Sequence, residues 1–96
     1  MGAENEIDPR EDAWKKYCVE ITPLFRGGKV PTKLVDPLKT HIYNRAEAKA
    51  RLISKKEYNS RLTEFAETYG RLLDSNEKFR QAIGIINNKL PLPIAG

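Results

Sequence analysis

Side chains able to act as nucleophiles, general bases or metal ligands are scarce in this sequence. It contains one cysteine, Cys18, and one histidine, His41. Cys18 recurs at helical spacing with Trp14 and Ile21, which predicts a small buried side chain, not a reactive thiolate. His41 is expected on the surface, with Arg45 one helical turn away. One Cys and one His do not make an ordinary zinc site, so we expect no metal and no cofactor.

Motifs for phosphate binding and hydrolysis are also lacking. Gly27 and Gly28 stand between two basic residues, but they lack the spacing of a phosphate-binding loop. The pair is more typical of a helix end followed by a turn. Acidic residues fall at helix-cap positions or at i,i+4 spacing from basic ones, which leaves no paired carboxylates for acid–base catalysis. The sequence therefore predicts no catalytic residue, and we expect a protein that is not an enzyme.

Charge is distributed unevenly along the chain. Residues 1–12 contain five acidic side chains and one arginine, a net charge of −4. Residues 26–61 contain ten Lys and Arg against three acidic residues, a net charge of +7. This asymmetry indicates either an acidic partner or an attraction between the two segments of the chain.

The hypothesis that we favour is a small helical protein–protein interaction module, such as a subunit, an adaptor or an assembly or regulatory factor. Its partner would present an acidic or apolar surface, and a second copy of the chain is one such partner. Three apolar residues, Val19, Leu52 and Ile85, fall outside or at the edge of the predicted core faces. The residues expected to contact the partner are Arg45, Lys49, Lys55, Lys56, Ile85, Leu92 and Ile94.

The alternative is a helix-turn-helix-like domain that binds nucleic acid through the basic segment. Several Lys and Arg side chains on one surface would neutralise phosphates and make the affinity strongly salt-dependent. The residues expected at that interface are Lys29, Lys33, His41, Arg45, Lys49, Lys55, Lys56, Asn59 and Arg61. Membrane binding is disfavoured because the apolar face of the second predicted helix is rich in alanine and lacks Trp and Phe.

Four helices are predicted to position these residues. The first begins at Asp8-Pro9, where Glu11 can return the capping bond. Pro23 predicts a kink or a stop near Thr22, and Gly27-Gly28 is expected to end the helix. An ordered loop over 27–36 leads to a second helix over roughly 37–53, which Asp36-Pro37 would start. Ser54 caps a third helix, whose apolar face extends over 58–73, and Asp74 caps a fourth over about 76–89.

One long helix over 37–73 is the alternative to the second and third helices. The apolar faces of its two halves would point in different directions, so two helices that meet at Ser54 are the better prediction. In the third helix, Ala66 is expected to widen the apolar face, and Gly70 is expected to mark the close approach of another backbone.

The sum is an all-α protein, a small four-helix bundle with short connections and an extended, proline-containing C-terminal tail. We expect a flexible acidic tail over 1–8, a single helical domain over 9–90 and the extended tail over 91–96. No apolar run reaches the roughly 20 residues that span a bilayer, and the first residues do not resemble a secretion signal. We therefore expect an intracellular, cytoplasmic protein, in agreement with the single cysteine.

Overall fold

The computed structural model describes residues 8–91, and this part of the chain folds into four α-helices without a strand. The helices are α1 (Pro9–Ile21), α2 (Thr32–Lys49), α3 (Lys55–Ser75) and α4 (Glu77–Lys89). Two 3-10 turns, Thr22–Leu24 and Arg26–Gly28, connect α1 to α2. The predicted all-α four-helix bundle is confirmed. Residues 1–7 and 92–96, including most of both predicted tails, lie outside the described residues.

Helix α1 begins at the predicted cap, and of the two outcomes expected at Pro23, a kink or a stop, the structure shows the stop, so Gly27-Gly28 does not end this helix. The Asp8 carboxylate accepts a hydrogen bond from the backbone N–H of Arg10 at 2.9 Å and also pairs with the Arg10 guanidinium. Glu11 has a different role from the one expected, because its carboxylate accepts a hydrogen bond from the Tyr43 hydroxyl of α2. The helix ends at Ile21, and Pro23 lies in the first 3-10 turn.

Helix α2 corrects the predicted boundaries at both ends. It starts at Thr32, so Pro37 lies inside the helix and the expected start at Asp36-Pro37 is wrong. The reason is burial: Leu34 and Leu38 are 1% and 0% exposed and continue the apolar face one turn earlier than the proline suggests. The helix stops at Lys49, four residues before the expected end.

The junctions around α3 are set by two side-chain caps. Ser54 accepts a hydrogen bond from the N–H of Glu57 at 3.0 Å, which confirms that α2 and α3 are separate helices. Helix α3 then continues to Ser75, so Asp74 is still helical and does not cap α4. Asn76 caps α4 instead, accepting from the N–H of Phe79 at 3.0 Å.

Side chains from all four helices form a single apolar core. Its buried members are Ala13, Tyr17, Ile21, Phe25, Leu34, Leu38, Ile42, Ala46, Phe65, Phe79, Ala82, Ile86 and Leu90. Cys18 is half-buried, so it is not the fully buried side chain that the sequence predicts. Two expectations for α3 are wrong: Ala66 is exposed, and a Cβ placed on Gly70 would have no neighbour within 4 Å. Tyr58 and Phe65 mark the buried face of α3, and Ala66 lies beyond the edge of that face.

Candidate binding site

The predicted basic residues do not form one continuous surface. Lys29 and Lys33 lie just before and within the first turn of α2, whereas Lys49 is the last residue of that helix and Lys55 and Lys56 begin α3. Lys33 and Lys49 are 16 residues apart in one helix, which is about 24 Å along its axis. The basic segment therefore forms two separate cationic regions.

His41 lies in the core and not on the surface, which corrects the expectation for this residue. It is 4% exposed, its ring packs against Phe65 at a centroid distance of 5.3 Å, and its Nε2 lies 2.8 Å from Oδ1 of Asn87. Nδ1 is buried without a hydrogen-bond partner among the described residues. Desolvation, assisted by the charge of Arg45, lowers the pKa of His41. A neutral buried ring is not a phosphate contact.

Arg45 also faces inward, because its guanidinium caps the C-terminal end of α4. Nε donates to the carbonyl of Leu90 at 3.0 Å, and Nη2 donates to the carbonyl of Asn87 at 3.2 Å. Nη1 donates to the hydroxyl of Tyr58 at 3.0 Å. These carbonyls belong to the last turn of a helix, where no backbone donor remains for them. All three nitrogens of Arg45 therefore bind within the fold, which leaves little for a partner.

Arg61 is held by two acidic side chains and an amide. Its Nη1 lies 2.5 Å from Glu47 and 3.2 Å from Asn44, and its Nε lies 3.2 Å from Glu57. The neighbouring carboxylates raise the pKa of Arg61. Sequence reasoning missed the pairing with Glu47 because the two residues belong to different helices, and only the i,i+4 spacing to Glu57 is visible along the chain.

The junction between α2 and α3 concentrates exposed basic residues. Residues 49–56, hereafter the basic corner, contain Lys49, Arg51, Lys55 and Lys56 and no acidic residue. All four basic residues are exposed. Leu52 lies among them in sequence with 58% of its surface exposed, and with Val19 it is one of two exposed large apolar residues in the described part. The prediction that Val19 and Leu52 lie off the core is confirmed.

The backbone of the basic corner forms a common type of helix C-terminus, but a residue other than glycine occupies its left-handed position. The N–H of Arg51 binds the carbonyl of Ala48 at 3.1 Å, and the N–H of Leu52 binds the carbonyl of Glu47 at 2.8 Å. This pair of bonds defines a Schellman motif, whose left-handed residue is usually glycine. Here that residue is Arg51, with φ of 62°. The next residue usually packs on the helix, but Leu52 is exposed.

A groove of about 350 Å³, hereafter the α1/α2 groove, opens beside the basic corner. It is lined by Pro9, Asp12, Ala13, Lys16, Tyr17, Ala46, Lys49, Ala50 and Leu90. Its apolar walls include Ala13, Ala46 and Leu90, each less than 8% exposed. Lys49 and Ala50 belong to both the groove and the basic corner, so the two features form one continuous surface.

Other predicted site residues lie apart from this surface or outside the described residues. Ile85 is half-buried against the core, so it is not the off-core residue that its sequence position predicts. Asn59 is exposed on the first turns of α3. Leu92 and Ile94 lie outside the described residues. Burial raises the pKa of the Cys18 thiol, which disfavours the reactive thiolate.

Comparisons with protein-family models, curated proteins and solved structures found no match to this chain. Within residues 8–91, no group of three or more His, Cys, Asp or Glu side chains is arranged to hold a metal ion. No helix in that range is long and apolar enough to cross a membrane. A functional assignment therefore depends on the geometry of the basic corner and the α1/α2 groove.

Proposed function

We propose that this protein is a non-catalytic protein–protein interaction module, such as a subunit, adaptor or assembly factor, that contacts an acidic partner through the basic corner. The observation behind this proposal is the exposed Leu52 among four cationic residues. An apolar side chain that loses its water on binding, surrounded by charged groups that remain partly solvated, has the anatomy of a protein interface. The positive φ of Arg51 adds support, because strained backbone conformations cluster at functional sites.

A protein partner suits this surface better than nucleic acid. Binding to phosphates needs an array of cations and gains nothing from an exposed leucine. Three of the predicted phosphate contacts, His41, Arg45 and Arg61, are occupied inside the fold. Past the first turns of α3, the exposed residues include Glu64 and Glu67, which would repel DNA if α3 entered a major groove.

Site-specific photo-cross-linking tests the proposal. A photoreactive amino acid replaces Leu52 in one variant and Val19, the matched exposed residue on α1, in the other. We expect the variant with the photoreactive residue at position 52 to form covalent adducts with a partner protein, and the variant at position 19 to form none. Adding Lys49→Glu and Lys56→Glu to the position-52 variant should abolish its adducts. Equal adducts from positions 52 and 19, or adducts that survive the charge reversal, would contradict the proposal.

A titration with nucleic acid tests the alternative directly. Labelled mixed-sequence DNA and RNA are titrated with the protein at about 50 and about 200 mM salt, and fluorescence anisotropy reports binding. We expect no binding at micromolar protein concentration. Micromolar binding that weakens steeply with salt, and that Lys49→Glu with Lys56→Glu abolishes, would overturn the proposal in favour of a nucleic-acid-binding domain.

A further inference from the structure

We propose that the α1/α2 groove receives a bulky apolar side chain of the partner, and that the ligand of the combined surface is an acidic peptide segment containing one such side chain. This inference rests on the proposed function, because the groove and the basic corner are continuous. It adds the chemical class of the ligand and the pocket that anchors it.

The shape of the groove favours an apolar anchor. Ala13 of α1 and Ala46 of α2 bring only methyl groups to its walls, and the side chain of Leu90 adds a third buried apolar surface. Small side chains on two neighbouring helices leave a depression that a larger side chain fills with favourable burial of apolar area. Pockets of this kind, filled by a single large side chain, supply much of the affinity of peptide interfaces.

The charges around the groove favour an acidic ligand. Lys16 on α1 and Lys49 on α2 stand on its two sides, and Asp12 is the single acidic residue among those that line it. Arg51, Lys55 and Lys56 extend the positive region along the basic corner. The nearby Glu47 is paired with Arg61 and Arg10 and so does little to offset this positive field.

The wall formed by Leu90 is fixed by hydrogen bonds from two other helices. The Tyr17 hydroxyl donates to the carbonyl of Lys89 at 3.1 Å, and Arg45 Nε donates to the carbonyl of Leu90 at 3.0 Å. The groove is therefore formed before the ligand arrives. A preformed pocket avoids the entropy cost of ordering its walls on binding, which raises affinity for a given contact area.

Selecting the members of a displayed random-peptide library that bind the full chain tests the inference. We expect enriched peptides to be acidic and to share one large apolar residue. The enriched peptide is then titrated against variants at Ala50, an exposed residue at the groove. Ala50→Phe, which fills the groove, should weaken binding by about tenfold or more, whereas Ala50→Ser should leave the affinity within about twofold.

Charge variants provide the second measurement on the same peptide. Lys16→Glu and Lys49→Glu should each weaken binding and flatten its salt dependence, because each removes a favourable long-range charge interaction. Lys78→Glu, an exposed lysine of α4, is the matched control and should leave the affinity within about twofold.

The outcomes separate this inference from the proposed function. In one outcome, Leu52→Ser and Lys56→Glu abolish peptide binding while Ala50→Phe leaves it intact. That result would overturn the assignment of the groove as the anchor pocket and would keep the role proposed for the basic corner. Binding that only Ala50→Phe abolishes would support the pocket and contradict the proposed role of the corner. Enrichment of basic or uncharged peptides, or of none, would overturn the inference. A dimer in sedimentation that Ala50→Phe abolishes would assign the groove to a second copy and overturn it as well.

Discussion

At the scale of single residues, burial and charge together determine the behaviour of His41. Its ring lies against Phe65, and Nε2 is bound to Asn87, while Nδ1 has no partner among the described residues. A proton on Nδ1 would place a buried charge near the guanidinium of Arg45. Both effects favour the neutral ring in the folded state.

We expect the free energy of unfolding to fall as the pH drops below about 6.5, the ordinary pKa of an unfolded histidine. The pKa of His41 is lowered in the folded state, so the unfolded chain takes up the proton first. The stabilisation is complete above pH 6.5 and is lost as the pH falls toward the folded pKa. Urea unfolding at steps between pH 7.5 and 5 measures the effect.

His41→Gln is the control for this pH dependence. Its amide can still donate to Asn87, but it does not titrate. We expect the slope of stability against pH between about 7 and 5.5 to flatten in this variant. An unchanged slope would assign the acid sensitivity to other groups.

Arg51 is a second residue with a distinct physical signature, a left-handed backbone at a non-glycine position. Left-handed geometry costs an ordinary L-residue about 1–2 kcal/mol, whereas glycine adopts it freely. Arg51→Gly should therefore raise the free energy of unfolding by about 0.5–1 kcal/mol, after allowance for the greater freedom of glycine in the unfolded chain. Urea unfolding measures this gain.

Arg71→Gly is the matched control for Arg51→Gly, because Arg71 is an exposed arginine inside α3. There, glycine should cost about 1 kcal/mol. Destabilisation of similar size in both variants would show that Arg51 is not strained. Under the proposed function, Arg51→Gly should also weaken partner binding, so stability and binding would change in opposite directions.

At the scale of helices, sequence signals succeed where the structure is decided within a few residues. Asp8 and Ser54 cap helices as predicted, because each bonds a backbone N–H two or three positions away. Pro37 misled the prediction, since its local cost is outweighed by the burial of Leu34 and Leu38 against other helices. A local pattern does not contain that information.

The same distinction holds for the candidate site. The charge of the basic corner follows from residue type alone and could be predicted. The expectation that Leu52 lies at the edge of a helix face gave the right exposure for the wrong reason, because α2 ends at Lys49 and Leu52 lies in the turn after it. The inward orientation of Arg45 could not, because its partners Tyr58 and Leu90 lie 13 and 45 residues away. The α1/α2 groove was not predictable either, because it requires the packing of two helices and the end of a third.

Arg45 links helices, and its replacement should affect folding before binding. Arg45→Met removes the donors to the carbonyls at the end of α4 and should lower the free energy of unfolding by about 1.5–3 kcal/mol. Hydrogen exchange of the backbone amides near Asn87 and Leu90 should become faster. Lys49→Met, one turn further along α2 and exposed, should change stability by less than about 0.5 kcal/mol. Equal effects of the two substitutions would contradict the assignment of Arg45 to the fold.

At the scale of the whole molecule, the four helices are joined by one apolar core and by a charged network at its edge. Glu47 of α2 is the centre of this network, 2.5 Å from Arg61 of α3 and 3.7 Å from Arg10 of α1. Its side chain is only 14% exposed, but those of Arg61 and Arg10 are 29% and 43% exposed, so salt screens both pairs in part. A protein of 96 residues has a small core, so even an ion pair worth about 1 kcal/mol would be a measurable part of its stability.

Glu47→Gln tests whether this network stabilises the assembled bundle. The substitution keeps the shape and removes the charge, so we expect the free energy of unfolding to fall by about 1 kcal/mol in dilute buffer and by less in about 1 M salt. Glu64 is an exposed acidic residue of α3 that pairs with no basic side chain within residues 8–91, so Glu64→Gln is the matched control and should change stability by under about 0.5 kcal/mol. A loss confined to Glu47→Gln would show that charge pairing between helices helps hold α1, α2 and α3 together. Equal losses at both positions would instead attribute the effect to the general charge balance of a basic protein, because each substitution removes one negative charge.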